Sequence, residues 1–327
     1  MSILPVDPLA VTADGPPFAN ILIILTAISI AAAFISRVLP PRKLPGPDRL
    51  PANQSAWPLV GVLFVALGFY MFGASAIMSI WASMAPRYGA TTQPMESDAG
   101  IALLSVIPPI LGLVAILAGD QIVHAGIQHQ LGFKTPRVAR GLLCGLGAAA
   151  LILAPLYLTS QLMEFIYRRV HYEHPMEHPL LRALGEGPGP IVKAAIILGA
   201  CIIAPLGEEL VFRAHLQTLL LRTIQWLAGF GNQQAEAPPV LPTVEGLPPI
   251  PYQRPLPAIR PWMSWLAILI TSALFAIIHP IWSAPIIFLL AIFLGYAYER
   301  TGNLWVPITM HAMFNTVSTL LFLAGSG

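Results

Sequence analysis

The residues best suited to chemistry lie between positions 208 and 315 of this 327-residue chain. The stretch GEELVFR sets Glu208, Glu209 and Arg213 in an otherwise apolar run, with His215 just beyond. FAIIH places Phe275 one helical turn before His279, and HAMFN places His311 four residues before Asn315. An ionisable group in a membrane-crossing helix is a functional hypothesis by default. Helical spacing sorts these groups. Glu209 and Arg213 are four apart, share a face and can pair, which lowers the cost of burying both charges. Glu208 is turned about 100° away from Glu209 and is left to face a cavity. His215 returns to nearly the face of Glu208 and reads as a satisfied helix histidine. A carboxylate, two imidazoles and a carboxamide can thus converge from three helices. Hydrolysis of an acyl bond needs a base to take a proton from water and donors for the oxyanion that forms. Glu208 with His279 can supply the base, and His311 with Asn315 the donors, with Phe275 walling the pocket. Each group also has a plainer reading. Glu209–Arg213 can be only an ion pair, His279 an interfacial residue before Pro280, and His311–Asn315 an interhelical hydrogen-bonding pair.

These residues need helices to position them, and composition says where the helices lie. Hydrophobic residues make up 56% of the chain and charged ones 10%, with a mean hydropathy of +0.72. An average soluble domain holds about 25% charged residues. A soluble enzyme, a disordered chain and a nucleic-acid binder are excluded, and the net charge of +2 selects no partner. Cys144 and Cys201 both sit in apolar runs, so there is no disulfide framework. A spanning helix takes about 20 apolar residues, which gives eight segments: 18–36, 57–83, 100–119, 141–162, 192–221, 263–283, 285–299 and 303–324. No segment alternates with period two, which argues against a barrel. The fold expected is all-α: a polytopic helical membrane protein of about eight transmembrane helices with a four-helix catalytic core. Residues 1–190 form an N-terminal membrane region of about four helices. Residues 191–327 form the core, with a proline-rich insert at 231–261. Asp7 and Asp14 without any Lys or Arg in the first 17 residues make the first apolar run a retained helix and not a cleaved signal.

The Lys/Arg bias puts 12 basic residues on one side of this arrangement and five on the other, so both termini are expected outside the cytoplasm. The insert then reads as a semi-rigid cytoplasmic connector, with a partner-docking segment as the sharper reading. The tract HYEHPMEH, with His171, His174 and His178, reads as a solvated loop, and His124 and His129 also read as solvated.

GEELVFR, FAIIH and HAMFN, in this order on successive membrane helices, resemble the three motifs of the CAAX protease and bacteriocin-processing family, which includes the type II CAAX prenyl endopeptidases. Its motifs are EExxxR, FxxxH and HxxxN or HxxxB. TGNLWVPITMH, with Gly302, Trp305 and Pro307, resembles the family as well. The resemblance covers roughly 192–324. It implies an all-helical intramembrane endopeptidase in which Glu208 and His279 activate water. His311 and Asn315 would stabilise the oxyanion, and Glu209 and Arg213 would support the site. Members carry two labels, metalloprotease and metal-free glutamate peptidase. No cofactor is expected. Zinc is the alternative, held by Glu208, His279 and His311 plus a water, although no HExxH is present.

The expected function is therefore hydrolysis of a peptide bond in a membrane-associated peptide or protein. The partners are that substrate and the lipid bilayer, not nucleic acid. The protein is integral and multi-pass, in the plasma (inner) membrane if prokaryotic. Two rivals stand beside it: a non-catalytic scaffold that keeps the fold and binds a partner, and a transporter. A transporter would spread ionisable residues over many helices, whereas the first four read as nearly free of them. One tension is geometric. On simple antiparallel passes His279 falls about 9 Å beyond the centre of its helix, away from Glu208 and His311.

Overall fold

A computed structural model describes residues 57–88, 98–123, 132–133, 138–173, 184–185, 189–230 and 258–325, with isolated positions at 23, 26–28, 30, 31, 37, 93 and 97. Among the described residues the chain is helical throughout, with no strand. The helices are α1 (Trp57–Met84), α2 (Asp98–Val123), α3 (Val138–Arg169), α4 (Pro190–Leu198), α5 (Ala204–Glu209), α6 (Thr218–Phe230), α7 (Pro261–Ile277), α8 (Ala284–Thr301) and α9 (Trp305–Gly325). π-helical segments Gly199–Ile203 and Leu210–Gln217 join α4, α5 and α6 into one rod.

Among the described residues six spans are long and apolar enough to cross a membrane: Leu59–Arg87, Ala99–Ile122, Val138–Arg169, Pro190–Gly229, Ala284–Thr301 and Trp305–Ala324. The protein is an all-α, polytopic membrane protein. The expected first pass lies largely outside the described residues, though Ile23, Thr26, Ala27, Ile28, Ile30 and Ala31 are helical. The proline-rich insert, His124, His129, His174 and His178 also lie outside them.

The sixth expected pass, 263–283, is corrected. Helix α7 stops at Ile277, and residues 278–283 form a turn. Pro280 is the reason, because the residue before a proline is pushed out of the helical region. At its other end Pro261 occupies the first helical turn, where its missing N–H costs nothing. Helix α8 ends at Gly302, whose φ of 61° is the left-handed terminator that glycine adopts freely.

Lipid gives no hydrophobic drive for helix association, so close packing must hold the bundle together. Gly145 on α3 meets α9, where a β-carbon would lie 2.6 Å from Thr309 Cβ and 2.8 Å from the Val306 carbonyl. Gly199 meets α2, where a β-carbon would lie 2.7 Å from the Ser105 carbonyl. Pro109 sits four residues after Ser105 and has no N–H to bond that carbonyl, so the glycine packs on an exposed backbone dipole. Two apolar clusters flank the interior. One joins α3, α8 and α9 through Ile152, Leu156, Leu290, Leu294 and Met310. The other joins α1, α2 and the second π segment through Leu59, Val62, Ile116, Leu210 and Ala214.

Candidate active site

Glu208 and Glu209 close helix α5, and Arg213 lies in the π segment that follows. Arg213 Nε donates to Glu209 Oε2 at 3.0 Å, and both side chains are fully buried. The expected pair is present. Arg213 also lies over the Phe275 ring, its Cζ 5.3 Å from the centroid. Glu208 differs from its neighbour, with its side chain 32% exposed.

Both carboxylates turn toward one residue of α9. His311 Nδ1 lies 3.0 Å from Glu209 Oε1, and His311 Nε2 lies 3.7 Å from Glu208 Oε2. The first is a direct hydrogen bond. The second exceeds hydrogen-bonding distance and is a separation that one bridging water closes. A glutamate ionised against Arg213 only accepts, so Nδ1 carries the hydrogen in this pair.

His279 sits in the turn after α7 with its side chain half-buried. Its Nδ1 lies 2.7 Å from the Phe275 carbonyl. A carbonyl only accepts, so Nδ1 is the protonated nitrogen and Nε2 of the neutral ring holds the lone pair. Phe275 is fully buried and organises the cluster. Its ring centroid is 4.7 Å from that of His279, 5.8 Å from that of His311 and 4.9 Å from that of Phe212. Helix α7 ends early, so His279 need not follow the helix axis outward, and Phe275 packs on both His279 and His311.

Asn315 lies one turn beyond His311, and its amide donates to the Ala200 carbonyl at 2.7 Å. Ala200 is in the first π segment, where bonding runs five residues ahead, as from Ala204 N–H to the Gly199 carbonyl. The residue five beyond Ala200 is Pro205, which has no N–H. Asn315 supplies the missing donor and ties α9 to the rod that carries Glu208.

His215 does not share a site with Glu208. The widened turn of the second π segment carries it to α2, where Nε2 lies 2.8 Å from Asp120 Oδ1 and Nδ1 lies 2.8 Å from the Leu210 carbonyl. Both residues are buried. His215 is a satisfied helix histidine, as expected. Its partner was not expected. Asp120 falls just past the expected third pass, 100–119, yet it lies buried inside α2, so the first four passes are not free of buried ionisable groups. The only signal in the sequence was that apolar character runs to Val123 on both sides of one aspartate.

A second polar group also escaped sequence reading. Gln217 donates to the Gly295 carbonyl at 3.2 Å and to Glu299 Oε2 at 3.4 Å, and Ser264 donates to Glu299 Oε1 at 3.3 Å. These contacts join the rod to α7 and α8. The TGNLW stretch is explained by capping. Asn303 Oδ1 accepts from the Trp305 amide at 3.1 Å, and Trp305 Nε1 donates to the Phe133 carbonyl at 2.9 Å.

Residues 190–317 match a family model described as type II CAAX prenyl endopeptidase Rce1-like. This stretch is therefore similar to the CAAX protease and bacteriocin-processing family. No curated protein and no solved structure matches the chain. The matched segment runs from the first residue of α4 into α9 and contains all three motifs. The zinc alternative for the family can be set against the geometry. Among the described residues no three His, Cys, Asp or Glu side chains gather as a metal-holding group.

Proposed function

We propose that the protein is an intramembrane endopeptidase that hydrolyses a peptide bond of a membrane-associated peptide or protein. The family match supports peptidase activity of the CAAX type. One observation carries the assignment to residues: elements from all three motifs meet around His311, between Glu208 at 3.7 Å and Glu209 at 3.0 Å.

In this reading Glu208, assisted by the Nε2 lone pair of His279, takes a proton from water. The hydroxide attacks the carbonyl carbon of the substrate, and the C–N bond breaks as the proton passes to the departing amine. His311 and Asn315 donate to the oxyanion. His311 already gives its Nδ1 hydrogen to Glu209, so donation from Nε2 requires the imidazolium form. Asn315 gives one amide hydrogen to Ala200 and has a second to offer. Glu209 and Arg213 hold His311 in orientation, which is the part a second carboxylate plays for a catalytic histidine. In this reading these side chains carry the chemistry themselves.

The test compares protein termini in membranes from cells making the wild type and cells making Glu208→Gln at equal inserted amounts. Termini that depend on Glu208 establish the peptidase and name its substrates. Identical termini overturn the reading and favour a scaffold that keeps the fold.

A further inference from the structure

Helix α3 lies outside the family-matched residues, yet its end reaches the turn that carries His279. The end of α3 is built in an unusual way. His171 has a φ of 54°, the left-handed region that glycine normally occupies at a helix terminus. The Tyr172 amide donates to the Tyr167 carbonyl at 2.9 Å, and the His171 amide to the Arg168 carbonyl at 3.4 Å. This pair of bonds is the Schellman termination. Its usual companion, a side-chain contact across the terminus, is also present: the Tyr172 ring packs on the Tyr167 ring at 5.2 Å and 58°. Tyr167 is thereby held from both backbone and ring.

The hydroxyl of Tyr167 donates to the Trp282 carbonyl at 2.9 Å. Trp282 is three residues past His279 in the 278–283 turn. That turn is short and self-bonded, from the His279 amide to the Ala276 carbonyl at 3.1 Å and from the Ser283 amide to the Pro280 carbonyl at 2.9 Å. Fixing one carbonyl of so small a turn fixes the backbone of His279 within it.

We propose that Tyr167 is a positioning residue for His279, tethering the turn that carries this histidine to the capped end of α3. The role rests on the peptidase reading above, but the tether itself does not. Reactive geometry is sensitive, since a displacement of about 1 Å can cost about 10²-fold in rate. Loss of one hydrogen bond that restrains the turn is expected to cost about tenfold.

Tyr167→Phe removes the hydroxyl and keeps the ring contact with Tyr172. Two readouts are taken on the full-length protein. The first is ¹⁹F NMR with fluorotryptophan at the seven tryptophans, the Trp282 resonance being assigned by Trp282→Phe. The second is the rate at which the Glu208-dependent termini accumulate in membranes. The expected result is a shifted or broadened Trp282 resonance with the others unchanged, and a rate about tenfold lower at equal inserted protein. An unchanged Trp282 resonance overturns the tether. A changed resonance with an unchanged rate overturns the positioning role. If the wild type itself yields no Glu208-dependent termini, the peptidase reading fails and the positioning role with it, while the resonance still decides the tether.

Discussion

Glu208 and Glu209 are adjacent in sequence and opposite in environment. Glu209 is fully buried against Arg213 and His311, whereas Glu208 keeps about a third of its side chain exposed and sits at non-bonded distance from His311. Their substitutions are therefore expected to separate activity from stability. Glu208→Gln keeps the shape and removes the base, so cleavage should fall by about 10²–10⁴-fold with thermal unfolding in detergent unchanged. Glu209→Gln leaves the Arg213 guanidinium buried without its counter-charge, which costs about 3–5 kcal/mol. The melting temperature should drop sharply. Adding Arg213→Met should recover part of the loss, because the unpaired charge is then gone. A Glu209→Gln protein that melts like the wild type would show that this pair does not hold the site. The order of the three motifs was legible at this scale because i, i+4 spacing is local. The partner of His215 was not legible, because Asp120 lies 95 positions away.

Elements act here through where they break. The rod from Pro190 to Phe230 contains two π segments, a feature common at functional sites. Each has a local cause or effect in view: Pro205 withholds a donor that Asn315 replaces, and the second segment sends His215 to α2. Helix α7 ends before Pro280, which sets His279 in a turn beside Phe275 instead of along the helix axis. Hydropathy cannot see this, since residues 280–283 remain apolar enough to extend the predicted pass. The glycines give a paired prediction. Gly145→Ala drives a β-carbon into α9 and should cost about 1–3 kcal/mol through overpacking. Gly61 on α1 has nothing within 4 Å of its β-position. Gly61→Ala should instead stabilise by about 0.4–1 kcal/mol by restricting the unfolded chain. Unfolding in detergent reads both, and similar shifts for the two would contradict the close α3–α9 crossing. At the end of α3, His171→Gly relieves a left-handed non-glycine residue and should stabilise by about 1 kcal/mol, with the same readout.

On the scale of the whole molecule, the family-matched residues 190–317 pack against two helices that lie outside them. Helix α2 contributes Asp120 and the Ser105 carbonyl, and α3 contributes Gly145 and the Tyr167 tether. Residues 190–327 expressed alone are expected not to accumulate as a folded, active protein. Co-expression with residues 1–189 as a second chain should restore accumulation and the Glu208-dependent termini together. Full activity of the isolated C-terminal piece would show that α2 and α3 only enlarge the protein. Hydropathy and spacings of three or four residues are short-range properties of a helix, and they were enough for the membrane class, the helical architecture and the three motifs. Tertiary structure alone decided that both glutamates meet on His311, that His279 swings in on a turn, that Asn315 serves the Ala200 carbonyl, and that Asp120 holds His215. Each of these depends on helix breaks, or on contacts between residues far apart in the chain, and neither periodicity nor composition encodes which distant side chain will be opposite.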